Sequence, residues 1–171
     1  MENFNIVSGN VYLCDPCYIS EADDDATEYK QKAKNGTWVV DVECMETSCD
    51  YRIISFTAYH NDINVSDIII NIKKCGVDSG QFGIFDSSVG FSETFYNECC
   101  KLTISNICFG VLENNMGFVS STGYGDGEYD LKMWIDKNTN EIVRINIEFI
   151  EEEYSDYYEG EDIFYDEEED N

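Results

Sequence analysis

The sequence predicts a mainly β (α+β) protein, built as a single antiparallel β-sandwich or partly open barrel with two short helices. Segments rich in β-branched and aromatic residues recur along the chain, and clusters of Gly, Asn and Asp separate them. Only two segments space their apolar residues as a helix does. With 171 residues, 43% of them hydrophobic, the chain is long enough for one domain with a sizeable core, which we place at residues 1–150.

In the first half, a turn at Gly9–Asn10 between two short alternating runs predicts an opening hairpin. Ser20, followed three residues later by an acidic residue, predicts the start of a helix that ends at Asn35–Gly36. The β-branched and aromatic runs at 37–44 and 51–59 predict two paired strands.

In the second half, a strand is predicted from Asp67 to Ile72. A short helix is predicted over residues 91–101, with Ser92 as the signal for its start. Two hairpins complete the domain. One joins residues 109–112 to 117–121, and the other joins 129–136 to 141–149 through Lys137–Asn140. Polar and apolar residues alternate in the last pair as they do in half-buried strands.

The net charge of −26 is unevenly distributed. Residues 151–171 hold 12 acidic residues and no basic ones, and the remaining 24 acidic and 10 basic residues give the body a charge of −14. We expect the tail to be disordered and solvated, with its aromatic residues leaving open a short motif that docks on a basic groove. Bare nucleic acid is excluded as a partner because binding it requires clustered Lys and Arg.

The N-terminus lacks a signal peptide, and no apolar run could span a bilayer, so we expect a cytoplasmic protein without a membrane partner. The pair Cys14 and Cys17 has the spacing of a redox or zinc motif, but it also fits a structural turn. His60 is expected in an exposed loop. Since no serine or cysteine nucleophile has a supporting motif, the sequence predicts no enzyme.

Two glycine-punctuated segments, residues 77–86 and 121–129, lack the periodicity of a buried strand or helix and are predicted to form a site. Their glycines allow close approach of the backbone to a ligand, or alternatively serve a β-bulge. Four aspartates at predicted strand ends would share one rim, where Ca²⁺ or Mg²⁺ could also bind, although no cofactor is assigned. The predicted ligand contacts are Asp15, Trp38, Asp78, Gln81, Asp86, Tyr124 and Asp126.

The motifs Leu13-Cys14-Asp15-Pro16-Cys17-Tyr18, Val77-Asp78-Ser79-Gly80-Gln81-x-Gly83-x-Phe85-Asp86 and Ser121-x-Gly123-x-Gly125-Asp126-Gly127-x-Tyr129 occur in this order, with Trp38 between the first two. This pattern resembles an uncharacterised family of small bacterial and bacteriophage proteins. The resemblance covers nearly all of the body and implies a shared fold and a shared surface of glycines and aspartates, without a reaction or ligand.

These observations predict a non-enzymatic binding protein, of the phage type that inhibits host defence by sequestering a small polar or nucleotide-derived signalling ligand. The alternative is an acidic interaction protein that blocks a basic, nucleic-acid-binding host protein. A metal-assisted hydrolase that uses the aspartates ranks last, because nothing identifies its nucleophile or base.

Overall fold

The computed structural model describes residues 1–20, 28–46 and 51–151, and in these ranges the strands form two antiparallel sheets. The six-stranded sheet runs in the order β1 (Glu2–Ile6), β4 (Gly36–Glu46), β5 (Tyr51–His60), β11 (Glu141–Glu148), β10 (Gly127–Asp136) and β6 (Ile68–Val77). The five-stranded sheet runs β3 (Lys30–Lys32), β2 (Asn10–Cys14), β7 (Gln81–Asp86), β9 (Gly117–Ser121) and β8 (Phe109–Val111). The helices are α1 (Cys17–Ser20) and α2 (Glu93–Thr103).

The two sheets pack face to face around aromatic side chains, so the predicted mainly β sandwich is confirmed, and the described strands form no closed barrel. Phe56 of the larger sheet lies 5.1 Å from Phe118 and 6.2 Å from Phe82 of the smaller sheet, measured between ring centroids. All three side chains are fully buried. In the described residues, no helix is long and apolar enough to cross a membrane.

The paired strands β4 and β5 and the hairpins β8–β9 and β10–β11 confirm the strand predictions. The strand predicted at 67–72 is also present, although it continues to Val77. Helix α2 begins where predicted, because the Ser92 hydroxyl accepts a hydrogen bond from the Phe95 N–H and caps the helix. Its buried face, which includes Phe95 and Cys99, forms a second apolar cluster with the outer face of the smaller sheet.

The predicted opening hairpin is wrong. A turn does occur at Gly9, whose φ of 75° is left-handed, but β1 pairs with β4 in one sheet while β2 pairs with β3 and β7 in the other. Both strands alternate apolar and polar residues because one face of each strand packs into the core, β1 from the larger sheet and β2 from the smaller one. The turn is therefore a corner between the sheets.

The helix predicted from Ser20 to Asn35 is wrong over residues 30–35. Residues 21–27 lie outside the described residues, Lys30–Lys32 form the edge strand β3, and Ala33 bridges to Ile142. The helical spacing of Tyr29 and Ala33 reflects two separate packing contacts. Residues 152–171, nearly all of the predicted acidic tail, also lie outside the described residues, as does Cys49.

In the segment 77–86, predicted to form a site and to lack the pattern of a buried strand, residues 81–86 are the strand β7, in which every residue is buried. It lies between β2 and β9, with the larger sheet on one face and the α2 cluster on the other. A Cβ on Gly83 would lie 2.8 Å from the Phe118 carbonyl oxygen, so this glycine serves close packing.

Candidate functional site

Asp15, a predicted ligand contact, is fully buried, and its carboxylate is hydrogen-bonded to neighbouring loops of the protein. Its carboxylate accepts hydrogen bonds from the Asp78 N–H at 2.9 Å, from the Ser79 N–H at 2.7 Å and hydroxyl at 2.6 Å, and from the Cys17 N–H at 2.9 Å. Four donors use most of the acceptor capacity of a carboxylate. Asp15 therefore joins the end of β2 and the start of α1 to the turn before β7.

Asp86 has the same role at the other end of β7. Its carboxylate accepts hydrogen bonds from the Val7 N–H at 2.6 Å, from the Ser8 N–H at 2.9 Å, and from the Ser88 N–H and hydroxyl. Burial raises the pKa of Asp86, but these hydrogen bonds outweigh it and hold the pKa below its ordinary value. Both sets of bonds fix loops that are distant in sequence.

The expectation that four aspartates share one rim is wrong for Asp86. In the pairing of β2 with β7, Cys14 lies opposite Gly83 while Val11 lies opposite Asp86. Asp15 and Asp86 consequently occupy opposite ends of the smaller sheet. Among the described residues, no group of three or more His, Cys, Asp or Glu side chains is placed to hold a metal ion.

The two glycine segments meet at the Asp15 end of the sandwich. The Thr122 N–H donates to the Gly80 carbonyl oxygen at 3.1 Å, and a Cβ on Gly80 would lie 3.8 Å from Cα of Gly125. Gly123 has a φ of 56°, and a Cβ there would lie 2.8 Å from Cγ1 of Ile150. These glycines therefore allow tight turns and close packing between the two loops.

Gln81 and Trp38 face the interior. The Gln81 side-chain oxygen accepts a hydrogen bond from the Thr103 hydroxyl at 3.2 Å. Trp38 is 1% exposed and donates its indole N–H to the Lys34 carbonyl oxygen at 2.9 Å. Neither side chain presents a surface to a ligand.

His60, expected in an exposed loop, is buried at the end of β5, and that expectation is wrong. Its Nε2 lies 2.8 Å from the Asn35 carbonyl oxygen, and its Nδ1 lies 3.0 Å from the Asp62 N–H. The ring thus links the chain before β4 to the loop after β5.

Asp78, Tyr124 and Asp126 are the predicted contacts that lie on the surface. Asp78 accepts a hydrogen bond from the Tyr18 hydroxyl at 2.7 Å, and the Tyr18 ring stacks on Tyr29 with a centroid separation of 5.5 Å. Sequence reasoning did not select these two tyrosines. Tyr18 follows the Asp-Pro-Cys motif and could have been found there, whereas Tyr29 carried no local signal.

Tyr124 is 52% exposed at the tip of the loop that leads into β10. The Arg52 guanidinium lies 4.8 Å from the centre of its ring, and Nη1 of Arg52 donates to the Gly123 carbonyl oxygen at 3.0 Å. The arginine therefore holds both the loop backbone and the ring, and it covers one ring face. A planar ligand would stack on the opposite face.

A groove of about 450 Å³ begins at Tyr124 and lies along the start of β10 and the end of β11. This volume is within the range of about 300–1,000 Å³ that is typical of small-molecule sites. Its charges are mixed, and Nζ of Lys74 pairs with the Asp130 carboxylate at 2.8 Å. The groove is lined by Lys74, Tyr124, Glu128, Tyr129, Asp130, Lys132, Glu148, Phe149, Ile150 and Glu151.

Sequence reasoning missed this groove because its walls come from β6, β10, β11 and the loop at Tyr124, which meet only in the folded sheet. Of the predicted contacts, Tyr124 alone lines it. Asp126 lies two residues further along the same loop, while Asp78 lies beside the Gly80 turn that contacts this loop.

The Cys14 and Cys17 pair supports the structural alternative. Cys14 is buried and Cys17 half-buried. Burial, followed by a hydrogen bond to the Asp15 carboxylate, raises the pKa of Cys17 to about 12. Since the thiolate is the reactive and metal-binding form, this environment opposes redox or zinc chemistry at neutral pH.

Comparison with protein-family models, with curated proteins and with solved structures found no match to this chain.

Proposed function

We propose that this chain is a cytoplasmic, non-enzymatic binding protein that sequesters a small, polar, ring-bearing molecule such as a nucleoside or nucleotide derivative. The observation that supports this most strongly is the groove of about 450 Å³ with the exposed Tyr124 ring at its end. An aromatic face beside a groove with a few polar groups is typical of small-molecule sites.

Tyr124 supplies the platform for the ligand ring. Because Arg52 already contacts the tyrosine ring and binds the loop backbone, the ring is oriented before a ligand arrives. Preorganisation of this kind lowers the entropic cost of binding. Stacking of a base on an aromatic side chain contributes about 1–3 kcal/mol.

The charges of the groove limit the class of ligand. The lining holds two lysines and four acidic residues, so its formal net charge is −2 (Lys74, Lys132, Glu128, Asp130, Glu148 and Glu151). The body as a whole is acidic, with a charge of −14. A ligand with several phosphates would be repelled, whereas a nucleoside or a compact, singly charged nucleotide would fit.

The test is isothermal titration of the full chain with adenosine, guanosine, their 5′-monophosphates and their 3′,5′-cyclic monophosphates. Tyr124→Leu should weaken the binding of the best probe at least about tenfold, which is the loss expected from one stacking contact. Tyr59→Leu is the matched control, because Tyr59 lies on β5 and does not line the groove.

Heat signals from none of the six probes would contradict the nucleotide version of the proposal. Binding that Tyr124→Leu leaves unchanged would show that the groove is not the site. Salt separates the alternative function from this one. The affinity of a stacked, hydrogen-bonded ligand should change little between about 50 and 300 mM NaCl, whereas an acidic surface bound to a basic protein should lose affinity steeply.

A further inference from the structure

Strand β6 exposes an apolar edge that the proposed function does not use. In the described part of the chain it is the last strand of its sheet and pairs with β10 alone. Ile68, Ile69, Ile70 and Ile72 are exposed, the last two at 56% and 57%. Natural proteins usually protect long edge strands with charges, prolines or bulges, since an apolar edge invites another strand to pair.

The register of β6 on β10 determines which face each isoleucine occupies. Ile70 lies opposite Trp134, and Ile72 lies opposite Lys132, on the face directed away from the sandwich core. Ile68 shares this face because side chains alternate along a strand. The outer face of β6 therefore presents three isoleucines in a row.

We propose that two copies of this chain pair through β6, antiparallel, about a two-fold axis at Ile70. In this register Ile70 faces the partner's Ile70, and Ile68 faces the partner's Ile72. On the inner face Asp67, which pairs with Lys137 of its own copy at 2.7 Å, also faces the partner's Lys73. Cross-strand apolar pairs and opposite charges are the contacts that stabilise neighbouring strands.

Two copies of β6 are more complementary in this register than in the two neighbouring ones. Moving the axis to Asn71 places Lys73 opposite Ile69 and Lys74 opposite Ile68. Moving it to Ile69 places Ile72 opposite Ser66 and leaves Asp67 facing Asn71. All three registers place some isoleucines opposite isoleucines, but the axis at Ile70 is the one that gives every outer-face isoleucine an isoleucine partner and places Asp67 opposite Lys73. The two six-stranded sheets would then form one continuous sheet.

The negative net charge of each full chain opposes this association, and this predicts an unusual salt response. Each copy carries a charge of −26, so low ionic strength should favour monomers. The isoleucine contacts are insensitive to salt, whereas the long-range repulsion is screened beyond about 8 Å at physiological ionic strength. Dimerisation should therefore strengthen as NaCl is raised from about 50 to about 500 mM.

Sedimentation velocity on the full chain, from about 1 to about 100 µM, tests the proposal, since small interfaces of this kind are weak and concentration-dependent. The wild type should reach twice the monomer mass at the upper concentration. Ile70→Lys, which places two lysines on the axis, should remain monomeric throughout. Ile104→Lys is the matched control, because Ile104 is 82% exposed at the end of α2 and is not part of β6. A wild type that is monomeric at every concentration would overturn the proposal, as would a dimer that Ile70→Lys leaves intact.

Cysteine crosslinking tests the register itself. In antiparallel pairing, directly opposed Cα atoms lie about 4.5–5.5 Å apart, within reach of a disulfide. Mild oxidation of Ile70→Cys should therefore give a covalent dimer that the wild type, with its own cysteines, does not form. Ile72→Cys should not crosslink to itself, because the two copies of residue 72 would be about 13 Å apart along the strands. Crosslinking of Ile72→Cys but not of Ile70→Cys would reject this register.

Discussion

Asp15→Ala separates a structural carboxylate from a ligand-binding one. The Asp15 carboxylate accepts hydrogen bonds from the N–H groups of Asp78, Ser79 and Cys17 and from the Ser79 hydroxyl, and its side chain is fully buried. A hydrogen bond to a charged group contributes about 1.5–3 kcal/mol, but the contributions in one network are not additive, and water can reach part of the turn. We therefore expect the substitution to lower the free energy of unfolding by about 4 kcal/mol.

The assay is urea unfolding followed by far-ultraviolet circular dichroism. Asp78→Ala is the control, because Asp78 is exposed and its carboxylate accepts a hydrogen bond from the Tyr18 hydroxyl at the surface. We expect that control to cost less than about 1 kcal/mol. If Asp15→Ala is as stable as Asp78→Ala, the assignment of Asp15 to the architecture of the fold is refuted.

Three further outcomes follow from the buried groups. Because the pKa of Asp86 is lowered in the folded protein, its ionised carboxylate stabilises the fold above the unfolded-state pKa of about 4, and this stabilisation is lost as the pH falls below that value. The difference in urea midpoint between wild type and Asp86→Asn should therefore shrink from about pH 6 to about pH 3. Equal differences at both pH values would contradict this. Gly83→Ala, whose Cβ would meet a backbone oxygen of β9, should cost about 2–3 kcal/mol, while Gly90→Ala has open space and should cost under about 0.5 kcal/mol in the same assay. Alkylation by iodoacetamide at about pH 7.5, followed by peptide mass mapping, should modify the exposed Cys44 well before Cys17, whose pKa is about 12; the reverse order would refute the environment assigned to Cys17.

Local patterns predicted the elements whose signals lie within a few residues. The alternation in β10 and β11, with Lys137–Asn140 between them, identified that hairpin, and Ser92 identified the start of α2. Both depend on contacts between near neighbours in the chain.

The errors arose where long-range contacts decide the structure. In the sequence Asp86 resembles a ligand-binding carboxylate, but the N–H groups of Val7 and Ser8, 79 and 78 residues earlier in the chain, donate hydrogen bonds to it. The polar residues of β7 are buried because such contacts satisfy them, and no local pattern records that. Lys30 and Lys32 belong to an edge strand that only the presence of β2 defines.

The candidate site was predicted in part for the same reason. Tyr124 and Asp126 stand out in the sequence because glycines surround them. The groove beside Tyr124 forms where the end of β11, the start of β10 and the part of β6 near Lys74 meet. These three segments are far apart in sequence. A sequence can mark an exposed loop residue, but the concave surface next to it is a product of sheet order.

Native mass spectrometry of the full chain, purified gently from a cell lysate, tests the central claim most directly. We expect a bound small-molecule mass on the wild type and on Tyr59→Leu, and its loss from Tyr124→Leu. A wild type that carries no small molecule, or a bound mass that Tyr124→Leu retains in full, would contradict it.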